Sequence, residues 1–88
     1  MPQPSDISMD GIREIMISRL DLDLSPEEIR EGDSLQGDLG LDSVDLLEIA
    51  IGIEKSYKIK ITQKDVGAFV SLSTLYALCR ERALVATA

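Results

Sequence analysis

Histidine is absent from this sequence, and cysteine and aromatic residues are scarce. Without histidine, the chain can build no Ser-His-Asp triad, no Cys-His pair and no histidine metal site. The single cysteine, Cys79, cannot form an internal disulfide, and its apolar helical surroundings favour a small core residue over a reactive thiol. Because only three residues are aromatic, the core must be built from aliphatic side chains.

Motifs of catalytic and metal-binding sites are missing as well. Ser43 does not lie in G-x-S-x-G, and the loop before it lacks the lysine of a phosphate-binding G-x-x-x-x-G-K-[ST]. The aspartates between positions 21 and 45 do not follow the spacing of a calcium-binding EF-hand loop. We therefore expect no metal site and no enzymatic activity.

Long apolar runs are also lacking. No segment approaches the roughly 18 apolar residues that a membrane span requires. The first six residues have neither the basic start nor the apolar run of a signal peptide. We expect a cytoplasmic protein without membrane insertion.

Acidic side chains outnumber basic ones by sixteen to nine, which gives a formal net charge of -7. An acidic surface repels phosphate backbones, so we expect no nucleic acid partner. The same field attracts proteins that carry basic patches. Charge alone leaves plain solubility open as the explanation, and a monomer is the default expectation.

Apolar residues recur at helical spacing and predict an all-α fold, a small four-helix bundle with three longer helices and one short helix. The first predicted helix spans about residues 6–20, and the second runs from about residue 43 to residue 56 or 57. Thr62 caps a short helix that ends near Val66, and Ser71 can cap a last helix that ends near Arg82. Ser25 and the proline after it predict one or two further helical turns, ending near Gly32, in the long loop between the first and second helices. Residues 58–61 alternate like a strand, but without a partner strand we expect an extended connector.

These elements predict one domain with loose ends. Residues 1–5 are expected to be a flexible N-terminus, residues 6–82 the helical bundle and residues 83–88 a flexible C-terminal tail. The loop before residue 43 is long for so small a domain, which favours a functional segment.

The second predicted helix has two distinct apolar surfaces. Its core face comprises Leu46, Leu47, Ile49, Ala50, Ile53 and Tyr57. Val44 and Ile51 lie on nearly the opposite side, with Glu48 beside them and Asp45 further around. Exposed apolar residues bordered by acids suit the docking of a partner protein, although two exposed aliphatic residues also occur on ordinary surfaces.

The segment at residues 38–45, Asp-Leu-Gly-Leu-Asp-Ser-Val-Asp, closely resembles the attachment site of acyl carrier proteins, which reads D-L-G-x-D-S-[LV]-D. As in that family, a glycine-containing loop precedes the serine and an acidic, apolar helix follows it. Tyr57 stands where the family has an aromatic residue, and Phe69-Val70-Ser71-Leu72 resembles its entry into the last helix. The resemblance covers roughly residues 6–82.

This resemblance implies that Ser43 accepts 4′-phosphopantetheine from coenzyme A by the action of a phosphopantetheinyl transferase (a holo-acyl-carrier-protein synthase). The thiol of that arm would carry acyl groups as thioesters in fatty acid or related lipid and polyketide biosynthesis. Asp42 and Asp45 would position the serine and engage the transferase. Acyl-processing enzymes such as a ketosynthase, an acyltransferase or a ligase would contact Val44, Asp45, Glu48, Ile51, Glu54 and Lys55.

Two features depart from the family pattern. Lys55, Lys58 and Lys60 occupy a stretch that is largely acidic in common carriers of fatty acid synthesis, and Lys55 projects on the side of Val44 and Ile51. This difference indicates a specialised set of partners. Thr62 replaces the usual proline but can still cap the short helix.

Other cargoes and one other class of protein stay open. A polyketide, peptidyl or D-alanyl carrier would use the same arm, although Leu41-Asp42-Ser43 favours acyl or polyketide cargo, because peptide synthetase carriers more often show Gly-Gly-[HD]-Ser. The alternative from a different class is an unmodified acidic helical adaptor that binds basic partners.

Overall fold

The helices of this protein begin where a capping side chain precedes an apolar repeat. The computed structural model describes residues 7–87, with side chains through Leu84. This range contains α1 (Met9–Leu20), a 3₁₀ turn (Pro26–Glu28), α2 (Ser43–Tyr57), α3 (Gln63–Val66) and α4 (Leu72–Thr87). The described residues pair as strands only in one isolated bridge, Ser34 to Ser71. The predicted all-α fold with three longer helices and one short helix is confirmed.

Short polar side chains define the starts of α1 and α3. The Ser8 hydroxyl accepts a hydrogen bond from the Gly11 N–H at 3.0 Å, so α1 begins at Met9. The predicted start at Asp6 is therefore wrong. Asp6 itself, like the predicted flexible N-terminus at residues 1–5, lies outside the described residues. Thr62 caps α3 as predicted, since its hydroxyl accepts from the Asp65 N–H at 3.2 Å.

Two predicted helix ends are wrong. The turn after Ser25 stops at Glu28 instead of near Gly32, because Ile29 adopts extended backbone and buries its side chain completely. The prediction that the last helix ends near Arg82 also fails, since α4 continues to Thr87. Ala83, which we had assigned to a loose tail, is fully buried, and burying it favours another helical turn.

The core is aliphatic, as the scarcity of aromatic residues predicted. Its completely buried large side chains come from α1, the loop before α2, α2 and α4: Ile12, Met16, Ile29, Leu35, Ile49, Ile53, Leu72, Leu75 and Cys79. α1 packs against both α2 and α4, and α3 packs against α2. Cys79 is a core residue, as predicted, and burial raises the pKa of its thiol to about 12.

Gly52 allows α1 to lie close against α2. A Cβ atom at this position would stand 2.7 Å from Ile15 Cγ2 and 2.9 Å from Arg19 Cγ, both closer than real Cβ contacts. The missing side chain therefore leaves room for the aliphatic stem of Arg19 to cross α2. The guanidinium of Arg19 then lies 3.6 Å from the Glu48 carboxylate of α2.

A buried carboxylate joins α3 to α4, a contact that the sequence did not lead us to predict. Asp65 is 7% exposed and accepts hydrogen bonds from Arg82 Nε at 3.0 Å and from Arg82 Nη2. The Arg82 guanidinium, together with the Thr62 N–H, holds the pKa of Asp65 well below its ordinary value. This pair gives the four-residue α3 an attachment that its own length could not provide.

The segment between α2 and α3 is a connector and not a strand, as predicted, but Lys58 at its start is left-handed rather than extended. Ile59 and Ile61 are buried, whereas Lys58 and Lys60 are exposed. Lys58 has a φ of 59° and closes α2 by donating its N–H to the Glu54 carbonyl at 2.9 Å. Within residues 7–87, no helix combines the length and the apolar character needed to cross a membrane.

Candidate functional site

The loop before α2 is held in place by buried leucines and backbone hydrogen bonds. Leu35 and Leu41 are buried, and the Leu41 N–H donates to the Leu35 carbonyl at 3.0 Å. The Leu35 N–H donates to the Val70 carbonyl at 2.9 Å, which ties the loop to the segment before α4. Gly40, with a φ of 70°, supplies the left-handed turn just before the helix. The start of α2 therefore has a defined position.

Two aspartates close the N-terminus of α2. Asp42 is the capping residue, and its Oδ1 accepts from the Asp45 N–H at 2.9 Å. Asp45 Oδ2 in turn accepts from the Asp42 N–H at 3.1 Å. This reciprocal pair is a capping box in which both members are carboxylates, and their charge also suits the positive end of the helix dipole.

Ser43 is the first residue of α2, and its side chain is exposed. Because Asp42 caps the helix, the serine hydroxyl is not used for that purpose, and it forms no hydrogen bond with any residue in the described range. The first N–H groups of a helix have no partner within it, and the dipole there favours an anion. The geometry combines an accessible hydroxyl with a helix end that stabilises negative charge.

A cavity of about 380 Å³ adjoins Ser43. Its lining combines apolar side chains with amides and hydroxyls: Ser34, Gln36, Leu46, Leu47, Gln63, Val66, Phe69 and Val70. A slender group with amides and short alkyl segments matches such a lining, since both its polar and its apolar parts find complementary neighbours. The residues present therefore fit a phosphopantetheine arm attached at the start of α2.

One side of α2 exposes an apolar stripe that runs away from Ser43. Val44 is 67% exposed, Leu47 is 42% exposed and Ile51 is 41% exposed. Val44 and Ile51 are exposed as predicted, but Leu47 does not belong to the core face to which we had assigned it. At 100° per residue Leu47 falls at the edge of that face, and the neighbouring cavity leaves it uncovered.

The acidic residues predicted to contact partners all have neighbours within the protein. Asp45 belongs to the capping box, Glu48 faces Arg19 of α1, and Glu54 Oε2 accepts from the Ile61 N–H at 3.3 Å. Lys55, one turn beyond Ile51, is exposed. The structure thus brings the predicted site residues together on α2, with Ser43 at one end and Lys55 near the other.

Two parts of this arrangement escaped the sequence analysis. The Asp42–Asp45 box could have been found, because its spacing of three residues before a helix is a recognisable capping signal. The contact of Arg19 with Glu48 had no such signal, because it depends on how α1 packs across Gly52.

Comparison with known families identifies the family of this chain. A family model described as a phosphopantetheine attachment site matches residues 10–81, most of the chain. The prosthetic group of this family is 4′-phosphopantetheine. The matched range includes the loop, all of α2 and α3 and most of α4.

The chain is also similar to individual carrier proteins of bacteria. It is 32% identical to an acyl carrier protein of Streptomyces coelicolor over 88% of this chain and 85% of the relative. It is 30% identical to polyketide-8 synthase acyl carrier protein 2 of Streptomyces avermitilis over 89% of this chain and 90% of the relative. An acyl carrier protein of Caulobacter vibrioides is 40% identical over 65% of this chain. With its four-helix fold and the exposed serine at the start of α2, the chain belongs to the phosphopantetheine-binding acyl carrier protein family.

Proposed function

We propose that this protein is a carrier whose prosthetic group is attached at Ser43 and which serves separate enzymes without catalysing a reaction itself. When bound, 4′-phosphopantetheine supplies a terminal thiol that holds acyl groups as thioesters. The observation that carries the proposal is the Ser43 hydroxyl, which is exposed at the first residue of α2 and unused by the described hydrogen bonds.

The surroundings of Ser43 support an attached phosphodiester. A phosphate at this position meets the unpaired N–H groups of the first turn of a fifteen-residue helix. Asp42 and Asp45 position the serine by fixing the residue at which α2 begins. The cavity beside Ser43 offers room for the arm between α2 and the segment that leads into α4.

The chemistry of attachment comes from another protein. Ser43 has no histidine to act as its base, because the chain contains none. A phosphopantetheinyl transferase must therefore take the proton of the Ser43 hydroxyl and transfer the phosphopantetheinyl group of coenzyme A to its oxygen. The new Ser43 O–P bond replaces a P–O bond of the coenzyme A pyrophosphate, and adenosine 3′,5′-bisphosphate leaves. The acyl group is then added, elongated or transferred by enzymes such as a ketosynthase, an acyltransferase or a ligase. A monomer in the cytoplasm would be accessible to each of these enzymes.

The names of the relatives support two kinds of cargo, a polyketide intermediate and an acyl group of unstated pathway. One of the similar Streptomyces proteins carries the name of a polyketide synthase carrier, and another is named only as an acyl carrier protein. We propose an acyl or polyketide intermediate as the cargo. Mass analysis of the loaded protein from its native host identifies which one it is.

Attachment at Ser43 is tested by incubation with coenzyme A, Mg²⁺ and a promiscuous phosphopantetheinyl transferase. We expect wild type to gain the mass of one phosphopantetheine and Ser43→Ala to gain none. Ser18→Ala removes another exposed hydroxyl, on α1, and should be modified like wild type. A correctly folded wild type that stays unmodified would instead indicate the unmodified adaptor.

A further inference from the structure

The charges of α2 are not equally available to a partner protein. The helix carries four charged side chains, Asp45, Glu48, Glu54 and Lys55. Each of the three carboxylates has a neighbour within the protein: the Asp42 N–H, the Arg19 guanidinium and the Ile61 N–H. Lys55 is exposed, and none of the described residues forms an ion pair or a hydrogen bond with it.

Lys55 also stands in line with the exposed apolar stripe. Val44, Leu47, Ile51 and Lys55 are spaced three or four residues apart, so their side chains follow one side of the helix. Val44 and Ile51 are aliphatic and exposed to 67% and 41%. A partner that covers these two residues has to approach the Lys55 ammonium as well.

The ammonium group needs a counter-charge when it is covered. Removing a charge from water without pairing it is costly, whereas a close pair of opposite charges at an interface contributes favourably. Arg19 adds a second cation to the same side of α2, where it offsets Glu48. A partner surface that is basic throughout would therefore face the Lys55 and Arg19 cations on this side of α2, where the Glu48 carboxylate is already paired.

We propose that α2 docks on an acyl-processing enzyme that presents an apolar groove for Val44 and Ile51 and a carboxylate for Lys55. This inference rests on the proposed function, because it takes the enzyme that receives the arm from Ser43 as the occupant. In a helix that docks through acidic residues alone, the enzyme supplies basic residues. Here the Lys55 ammonium requires an acidic residue on the enzyme.

Helix geometry gives the distance at which this carboxylate lies. Lys55 follows Ser43 by twelve residues, and at 1.5 Å per residue these span about 18 Å of helix axis. The enzyme's acidic residue therefore lies about 18 Å from the entrance through which the arm reaches its active site. A surface of this kind can be recognised in the structure of a candidate enzyme before any measurement.

The test compares two charge reversals on the phosphopantetheine-loaded protein. Lys55→Glu changes the proposed contact, and Lys60→Glu makes the same change of net charge at an exposed lysine of the connector. The probe is an acyl-transfer enzyme of the native host that accepts the loaded wild-type protein. We expect Lys55→Glu to raise its KM about tenfold or more, the scale of one close charge pair, with kcat little changed. Lys60→Glu should change KM less than about twofold.

A second change on the enzyme identifies the paired group. Replacing the acidic residue opposite Lys55 by lysine should restore the KM of the Lys55→Glu protein and impair wild type. Equal KM values for Lys55→Glu and Lys60→Glu would overturn the inference. Mass spectrometry separates this failure from that of the proposed function, because in the latter case neither variant nor wild type acquires the arm.

Discussion

At the scale of single residues, the cap of α2 and the exposed hydroxyl at its start belong to two different residues, Asp42 and Ser43. Serine at the start of a helix commonly accepts a hydrogen bond from the first turn. Here Asp42 accepts that bond from Asp45, and Ser43 begins the helix with its hydroxyl exposed. The helix start is therefore stabilised by a residue other than the one proposed to be modified.

We expect Asp42→Ala to lower the free energy of unfolding by about 1 kcal/mol, because the first turn of α2 loses its cap. Asp42→Asn should remain within a few tenths of a kcal/mol of wild type, since asparagine is an equally good cap. Urea unfolding followed by circular dichroism measures both values. Equal losses in the two variants would mean that charge, and not the cap hydrogen bond, is what stabilises this position.

At the scale of the elements, α3 depends on its neighbours more than the other helices do. Four residues are too few to form a stable helix alone. The Thr62–Asp65 capping box orders its start, and the two hydrogen bonds from Arg82 attach it to α4. Val66 of α3 also lines the cavity beside Ser43. Loss of the Asp65–Arg82 pair would thus loosen one wall of that cavity.

The Asp65–Arg82 pair gives stability a dependence on pH. Since the folded pKa of Asp65 is lowered, its contribution is fully present above the ordinary carboxyl pKa of about 3.9 and is lost as pH falls below that value toward the folded pKa. We expect Asp65→Asn to be less stable than wild type at pH 7. The difference should shrink steadily between about pH 4 and pH 2.

Thermal unfolding at several pH values checks this expectation. Asp23→Asn is the matched control, because Asp23 is exposed and has no ion pair among the described residues. It should differ little from wild type at any of these pH values. A constant difference between Asp65→Asn and wild type across the whole range would contradict the assignment of the low pKa to this pair.

The elements that the sequence predicted correctly are those with strong local signals. The dense apolar repeat of α2 and the glycine-containing loop before it predict a helix from about residue 43 to residue 56 or 57, and α2 spans Ser43–Tyr57. Thr62 predicted α3 through its capping role. The site followed from the same local pattern, since the segment at residues 38–45 lies in the loop and the first turn of one helix.

The features that were missed depend on contacts between distant residues. Asp65 and Arg82 are seventeen positions apart and meet only because the folded chain brings Arg82 of α4 beside Asp65 of α3. Arg19 reaches Glu48 through the close packing of α1 at Gly52. The end of α4 was misplaced because an alanine-rich segment carries a weak apolar pattern, and the burial of Ala83 becomes evident only in the packed structure.

At the scale of the whole molecule, the net charge of -7 opposes the compact state. Like charges repel one another more strongly when the chain is folded than when it is extended. Few of the acidic side chains are offset, because the described residues contain three ion pairs. Stability should therefore respond to ionic strength.

We expect the melting temperature to rise by a few degrees when NaCl increases from 10 mM to 150 mM. Over this range the Debye length falls from about 30 Å to about 8 Å, which screens repulsion across the molecule. The double variant Glu27→Gln/Glu31→Gln changes the net charge from -7 to -5 at two exposed positions and should show a smaller rise. Differential scanning fluorimetry measures the melting temperatures of both proteins. An identical rise in the two proteins would show that repulsion between like charges does not cause the dependence of stability on salt.

The close packing at Gly52 also means that the charge pattern on the docking side of α2 exists only when the chain is folded. Arg19 belongs to α1, and it offsets Glu48 only while α1 lies across α2. A synthetic peptide copied from α2 would expose Glu48 without its cation and would be a more acidic ligand than the helix in the protein. An enzyme selective for the native charge pattern would thereby distinguish intact carrier from misfolded or proteolysed chain.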